Sequence, residues 1–401
     1  MPRFPSPPLP SCTAVVTDVH FRMSLAVCRD LRQAGVRIIT CERESVRQTP
    51  AAPPLGGLSK YTQRHVWLPD ASYSSSLHQL CQQLAQEQNG QLPALLPVGA
   101  QTLALAASEQ DSLRKVAALC VPTPRQLDML NNKETVLHLA EALEIPRPES
   151  FTRQQDEGLE DFFARVSLPC VVKPRCGELL GLPAADRYRV AHTPSQLAEA
   201  WEHFHTMDKA EPQVQAFLPG DGLGCSLLAE EGRVLASICH RRVREYPVSG
   251  GPSSCCQVVF RPDLEDYAAR LIKQVSYTGP CMVEFKEDAA GQPRILEVNP
   301  RVWGSYPLTR ASGSGFSLLW LMASLGLPLP EQEQKPQPRR MIFALSDMLA
   351  GLGYLHRGKP GKTLGALVDL LNPWVLDGVF EWGDIQPALA YFRAQLAKIL
   401  R

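Results

Sequence analysis

A short alternation of strand and helix near the start of the chain constrains its fold most. Residues 13–17 have the apolar character of a buried strand, residues 24–34 have the pattern of a helix that ends at Gly35, and residues 36–40 predict a second strand. Two strands joined through a helix in this way run parallel, as in an open α/β sheet. With another short strand predicted at 92–98, residues 12–120 are expected to form an open parallel α/β domain. No G-x-G-x-x-G sequence follows the first strand, which argues against a dinucleotide-binding domain.

The second half of the chain has a different pattern. Short alternating segments between residues 213 and 298 are separated by turn residues such as those at 231–232 and 290–291. They predict antiparallel strands mixed with helices, an α+β region, over residues 121–328. A proline-rich leader at 1–11 precedes the first domain, and residues 329–401 are predicted to form a polar linker and a mostly helical extension.

Composition limits the possible functions. The chain has 401 residues with 41 Lys+Arg and 41 Asp+Glu, so its formal net charge is zero. This balance argues against general binding to nucleic acid or to an anionic membrane, although it leaves local clusters of charge open. The 12 cysteines include no C-x-x-C pair, which argues against a zinc site and a disulfide framework. We therefore expect reduced cysteines in a cytoplasmic protein that has no signal peptide and no membrane-spanning segment.

A pair of glutamates on neighbouring predicted strands has the most chemical content. Glu284 and Glu297 are separated by a turn at 287–291, and Asn299 follows two residues after Glu297. A hairpin would place these side chains on one face, because residues two apart on a strand point to the same side. Two carboxylates and an amide oxygen suit Mg²⁺, which prefers oxygen ligands and shares its other positions with phosphates. Taken alone, such a pair more often consists of ordinary outward-facing residues.

Several cationic residues would complement this set in a phosphate-binding site. Lys173 ends a short apolar strand and Lys133 lies in the first turn of a helix, so both ammonium groups can project into a cleft. Arg242 and Arg244 precede a flexible segment at 250–251. Each of these residues, taken alone, is also consistent with a solvated surface position.

A strand followed by a turn at 215–221 could bind the base and ribose of a nucleotide. Its exposed backbone could pair with an adenine edge, and Asp221 could bind ribose hydroxyls. An ordinary edge strand and its turn explain the same residues equally well.

Taken in order, these motifs resemble the ATP-grasp superfamily. The resemblance is carried by Asn132-Lys133, Val171–Pro174, Val214–Gly220, Val283–Phe285 and Ile295–Arg301. It covers about residues 121–328 and, more loosely, the preceding α/β domain. Residues 242–251 and 303–305 are similar to a branch of carboxylate–amine ligase homologues within this superfamily. The resemblance implies a pre-ATP-grasp domain, a two-subdomain ATP-grasp fold and a helical C-terminal extension.

The resemblance also implies cofactors and roles for the matched positions. The cofactors would be ATP and two Mg²⁺ ions, for which Mn²⁺ could substitute. Lys133 and Lys173 would hold the phosphates, Gln215, Ala216, Phe217 and Leu218 would contact adenine, Asp221 would bind ribose, Glu284, Glu297 and Asn299 would bind the metal ions, and Arg301 with Arg242 or Arg244 would stabilise the transferring phosphoryl group.

Three positions depart from the family pattern. Ala216 replaces the usual acidic residue of the adenine hinge, and Asp221 replaces the usual glutamate at the ribose position. The loop at 175–181, where the family usually covers the phosphates with small residues and serine, is bulkier here. These departures affect the nucleotide contacts and leave the metal-binding set intact.

The implied activity is that of a ligase that activates a carboxylate as an acyl phosphate, couples it to an amine and releases ADP and phosphate. Its substrates would be a small-molecule carboxylate and amine, such as an amino acid or peptide, with no nucleic-acid or membrane partner. The glycine-containing loop at 247–254 is a candidate part of the acceptor site. Two alternatives remain, namely a small-molecule kinase and a nucleotide-binding module without turnover. The C-terminal extension could pack on the ATP-grasp domain or form a homodimer interface.

Overall fold

The described part of the chain forms three β-sheets with helices packed against them. A computed structural model describes residues 12–174, 182, 187–248, 250–330 and 336–399. The predicted leader at 1–11 and the predicted phosphate-covering loop at 175–181 lie outside these residues, as does the middle of the predicted linker, 331–335. The domain boundaries proposed at 120 and 328 stay predictions.

The N-terminal sheet has four parallel strands in the order β3-β2-β1-β4. Its elements are β1 (Thr13–Val16), α1 (Arg22–Gln33), β2 (Arg37–Arg43), α2 (Glu44–Arg47), β3 (Arg64–Leu68), α3 (Tyr73–Glu87), β4 (Ala94–Leu96), α4 (Ala100–Ser108) and α5 (Gln110–Leu113). The predicted open parallel sheet is therefore confirmed. The sequence pattern did not reveal β3, because most of its residues are only half-buried and polar side chains interrupt its apolar signal.

A small antiparallel sheet follows, in the order β5-β8-β6-β7. Its region contains α6 (Pro124–Asn131), α7 (Lys133–Ala142), β5 (Ser150–Phe151), α8 (Leu159–Arg165), β6 (Cys170–Lys173), β7 (Arg189–Ala191), α9 (Pro194–Asp208) and β8 (Gln213–Ala216). The side chain of Asn132 accepts hydrogen bonds from the backbone N–H groups of Glu134 and Thr135, and this cap makes Lys133 the first residue of α7.

The largest sheet has seven strands in the order β13-β12-β9-β10-β11-β14-β15. Its first five strands and their helices are β9 (Gly222–Glu230), β10 (Arg233–Glu245), β11 (Ser253–Val259), α10 (Pro262–Gln274), β12 (Gly279–Glu287), β13 (Pro293–Asn299), α11 (Tyr306–Ala311) and α12 (Phe316–Ser324). Buried residues of α10, including Leu271, pack with Leu227 and Phe285 of this sheet and fix one of its faces. The mixed α+β organisation predicted for this half is confirmed.

The C-terminal region is mostly helical, as predicted, but it also extends the largest sheet. It contains β14 (Arg340–Ile342), α13 (Ala344–His356), α14 (Pro360–Leu371), β15 (Leu376–Asp377) and α15 (Gln386–Ile399). β14 pairs antiparallel with β11, and β15 pairs parallel with β14. The structure shows this region packed on the largest sheet, and the homodimer interface considered for it stays a prediction.

Buried ion pairs hold the C-terminal region in place. The guanidinium of Arg244 on β10 donates to Asp347 of α13 and Asp369 of α14, with N–O distances of 2.7 and 2.6 Å. Toward the N-terminal sheet, Arg29 and Ser59 donate to the carboxylate of Asp384. The C-terminal region is therefore bonded both to the largest sheet and to the N-terminal region.

Within the described ranges, no helix combines the length and apolar character needed to cross a membrane. Every described cysteine is buried and none forms a disulfide, as expected for reduced cysteines.

Replacing Arg244 by Met should destabilise the protein strongly. The substitution leaves Asp347 buried without its cation and removes one of the two cations beside Asp369, so we expect the free energy of unfolding in urea to fall by about 3–5 kcal/mol. Arg233 begins the strand that carries Arg244 and forms an exposed pair with Glu230 at the end of β9, so it provides the control. Arg233→Met should change the free energy of unfolding by less than about 1 kcal/mol. Equal effects of the two substitutions would contradict this account.

Candidate functional site

A cavity of about 510 Å³ lies between the small sheet and the largest sheet. It brings together most of the residues that the sequence singled out: Lys133, Lys173, Gln215, Ala216, Phe217, Leu218, Arg242, Glu284, Glu297, Asn299 and Arg301 all line it. Residues far apart in the chain thus meet in one pocket.

Two glutamates face each other across the strands that form one wall of the cavity. Glu284 on β12 lies directly opposite Glu297 on β13. Like charges in this position repel unless cations offset them. Arg242 Nη2 lies 2.6 Å from Glu284 Oε2, and Lys133 Nζ lies 2.8 Å from Glu297 Oε2. Asn299 joins the set, because its Nδ2 donates to Glu284 Oε1 at 3.0 Å.

The surroundings give the two carboxyl groups different acidities. Burial raises the pKa of Glu284, although Arg242 beside it acts in the opposite direction. Burial also acts to raise the pKa of Glu297, but the charges of Lys133, Lys173 and Arg242 outweigh it and lower this pKa to about 2. Glu297 is therefore ionised at neutral pH and suited to binding a cation.

Lys173 occupies the opposite side of the cavity at the end of β6. Burial, and then the like charge of Lys133, lower the pKa of Lys173 to about 7. An anionic ligand beside Lys173 would favour its charged form. This arrangement is suited to phosphate oxygens.

The predicted adenine hinge runs along the cavity from Gln215 to Leu218. The backbone N–H of Ala216 donates to Glu149 O, and that of Phe217 donates to Pro169 O. These two donors are committed within the protein, so other backbone groups of the hinge would have to contact a base. The ammonium of Lys286 lies 5.6 Å from the centre of the Phe217 ring.

Two predicted site residues do not line the cavity. Arg244 is buried against Asp347 and Asp369, although Arg242 on the same strand does line the cavity. The pairing of β10 with β11 shifts register between these arginines, and such a bulge breaks the alternation that would point both side chains to one face. Asp221 is exposed beside Arg241, with 3.5 Å between its Oδ2 and Arg241 Nε.

The sequence reasoning missed a buried histidine in the cavity. His240 Nε2 lies 3.3 Å from Ser305 Oγ, and both residues line the cavity. Burial and the nearby charge of Arg242 lower the pKa of His240 to about 3, so its ring is neutral at physiological pH. Gly224 leaves room for the ring, since a Cβ there would lie 2.4 Å from His240 Cε1. Period-two spacing from Arg242 was the available signal for His240.

Segments other than β12 and β13, which carry the two glutamates, also line the cavity. Arg22 at the start of α1 lines it, with its guanidinium stacked 3.5 Å from the centre of the Phe343 ring. Residues 250–253 of the predicted acceptor loop also line it, whereas Ser249 lies outside the described residues. Gly250 has φ +124°, and a Cβ there would lie 1.6 Å from Tyr188 Oη, so glycine is required where these two segments meet.

The charge of the cavity fits a polyanion that carries divalent metal. Its cationic lining residues are Arg22, Lys133, Lys173, Arg187, Arg242, Lys286 and Arg301, and its acidic ones are Glu245, Glu284 and Glu297. The described residues contain no group of three or more His, Cys, Asp or Glu that could hold a metal ion by itself. The carboxylate oxygens of Glu284 and Glu297 and the amide oxygen of Asn299 are ligand types that suit Mg²⁺, which takes its remaining oxygen ligands from water and phosphate.

Comparison with known families and sequences gives one match. Residues 210–346 match a family model described as ATP-grasp in the biosynthetic pathway with Ter operon. None of the curated proteins is a significant match to the sequence. The family match includes the hinge, both glutamates, Asn299 and Arg301.

Several solved structures share the fold. The biotin carboxylase domain dimer of Hydrogenobacter thermophilus 2-oxoglutarate carboxylase, in complex with MgADP, ADP and bicarbonate, is 12% identical, with a TM-score of 0.60 over 81% of this chain and 71% of that chain. The L-amino acid ligase from Bacillus licheniformis is 17% identical, with a TM-score of 0.55 over 84% and 79%. An N5-carboxyaminoimidazole ribonucleotide synthetase in complex with ADP is 15% identical, with a TM-score of 0.59 over 87% and 85%. The ATP-grasp fold implied by the sequence motifs is confirmed.

The acidity of Lys173 can be measured by amine-reactive labelling followed by mass spectrometry. Because only the neutral amine reacts, labelling of Lys173 should increase with a midpoint near pH 7 rather than near the usual pKa of 10.5. Lys133→Met removes the neighbouring positive charge and should move the midpoint upward. Labelling that begins only above about pH 9 in the unmodified protein would contradict the lowered pKa of Lys173.

Proposed function

We propose that this ATP-grasp protein is an ATP- and Mg²⁺-dependent ligase that joins a carboxylate to an amine and releases ADP and phosphate. One observation carries the proposal: a single cavity holds the Glu284–Glu297 pair together with Lys133 and Lys173. Structures of the same fold include an MgADP complex and an L-amino acid ligase, which supports both the cofactor and the class of reaction.

Glu284, Glu297 and Asn299 would hold the metal. Bound there, Mg²⁺ would neutralise charge on the ATP phosphates and help to orient them. Two ions, and replacement by Mn²⁺, stay predictions. Lys133 and Arg242 now lie against the two carboxylates, so both cations would become available to phosphate oxygens once the metal is bound.

The reaction would proceed in two transfers. A carboxylate oxygen of the substrate attacks the γ-phosphorus of ATP, the bond to the β-phosphate oxygen breaks, and ADP leaves with that electron pair. The amine nitrogen then attacks the carbonyl carbon of the acyl phosphate, and phosphate leaves as the C–O bond breaks and the amine loses a proton. Lys133, Lys173, Arg242 and Arg301 would offset the charge of the phosphoryl group during the first transfer.

The protein would also have to keep water from the acyl phosphate. The loop at 250–253 borders the cavity next to Tyr188, where it could close over bound substrates. Residues 215–218 would hold the adenine along the opposite edge. We place the reaction in the cytoplasm, because the described cysteines are free thiols and ATP is available there.

Replacing Glu297 by Gln tests the proposal. Phosphate release from ATP, Mg²⁺ and a panel of carboxylates and amines should fall roughly 10²–10³-fold, because an ionised ligand of the metal is lost. Glu230→Gln, on the same sheet but outside the cavity, should leave the rate unchanged. Unchanged phosphate release in Glu297→Gln would contradict the assignment of Glu297 as a metal ligand.

Analysis of the products separates the ligase from its alternatives. Mass spectrometry should detect a new amide together with ADP and phosphate in equal amounts. A stable phosphorylated product without amide would instead identify a kinase. Nucleotide binding by calorimetry with no ADP formed from any substrate mixture would identify a module without turnover.

A further inference from the structure

Large apolar side chains are exposed along one helical hairpin near the C-terminus. The hairpin consists of α13 and α14, joined by the turn at 357–359. We define the hairpin face as the exposed side chains of Met348, Leu352, Leu355, Leu364, Leu367, Val368, Leu371 and Trp374. Among the described residues, these eight form the densest run of exposed large apolar side chains on two packed helices.

Helical periodicity places these residues on one side of each helix. Leu364, Leu367, Val368 and Leu371 are spaced three or four residues apart, so they share a side of α14. The inner side packs through small residues, since Gly351 of α13 lies against Ala366 of α14. The outer side is as apolar as a core position, yet Leu371 is 82% exposed and Trp374 is 78% exposed. An ordinary surface helix is polar on this side, so the face indicates a binding partner.

The exposed charges of the hairpin have one sign. Between residues 344 and 374 the acidic side chains are Asp347 and Asp369, which are 1% and 3% exposed and bound to Arg244. The exposed ionisable side chains of this stretch are His356, Arg357, Lys359 and Lys362, all at the turn or next to it. The outer surface is therefore apolar along the helices and cationic at their connection.

A partner must supply apolar contact and negative charge together. A second copy of this hairpin would supply apolar contact, but its own exposed charges are also cationic. The interface of a membrane with anionic lipids supplies both, and leucine and tryptophan beside lysine and arginine are typical of helices that lie in this interface. Helices of 13 and 12 residues are too short to cross a bilayer.

We propose that the hairpin face binds peripherally to membrane surfaces that contain anionic lipids. The absence of a membrane partner expected from the sequence rested on the zero net charge of the whole chain. Burial of Asp347 and Asp369 against Arg244 leaves a local cationic surface that the total charge does not show.

Vesicle flotation with the full chain tests the proposal. The protein should float with phosphatidylcholine vesicles that contain phosphatidylglycerol, bind at least about tenfold more weakly to pure phosphatidylcholine, and dissociate partly at high salt. Leu367→Glu combined with Leu371→Glu should reduce binding at least about tenfold, because both side chains lose their apolar contact with the bilayer. Phe260→Glu, a change at an exposed apolar residue elsewhere, should leave binding unchanged.

A second variant guards against the possibility that the double leucine substitution unfolds the hairpin. Lys359→Glu changes an exposed turn residue and should weaken binding to anionic vesicles by about fivefold or more, with an unchanged circular dichroism spectrum. Failure of the unmodified protein to float with anionic vesicles would overturn the proposal. A dimer by light scattering that is lost in the Leu367→Glu, Leu371→Glu variant, without vesicle binding, would assign the face to a second copy instead.

Discussion

The repulsion between two glutamates placed opposite each other is the constraint on which the cavity depends. The strand register places Glu284 on β12 directly opposite Glu297 on β13, so their carboxylates share one part of the cavity. Their charges are tolerated because Arg242 and Lys133 approach them at 2.6 and 2.8 Å. Because the two carboxylates lie close together, they need positive charge beside them. The same concentration of negative charge suits the pair to a bound metal ion.

The cavity needs both the small sheet and the largest sheet. The largest sheet contributes the carboxylates, whereas Lys173 comes from β6 of the small sheet and Lys133 from the first turn of α7. Because α7 packs on the largest sheet, Lys133 already lies against Glu297, and the small sheet adds the second ammonium group, that of Lys173. Arg22 adds a cation from the N-terminal unit, so residues from three regions of the chain define the space for a ligand.

Two arginines on one strand show how a local irregularity decides which surroundings a side chain enters. Arg242 and Arg244 are two residues apart, and a regular strand would point both to the same face. The bulge in β10 separates them, so that Arg242 binds Glu284 in the cavity and Arg244 holds Asp347 and Asp369. Sequence reasoning kept both as candidates, because a bulge has no reliable signature in a single sequence.

The sequence by itself determined the features that depend on spacing along the chain. These are the parallel pairing of the first two strands, the hairpin that joins Glu284 to Glu297, and the lysine that ends β6, because strand alternation and turn residues are local properties. Only the tertiary structure decided which distant groups meet. It paired His240 with Ser305, brought Arg22 to the cavity and buried the two acids of the hairpin against Arg244, since contacts between distant residues depend on packing that no local pattern encodes.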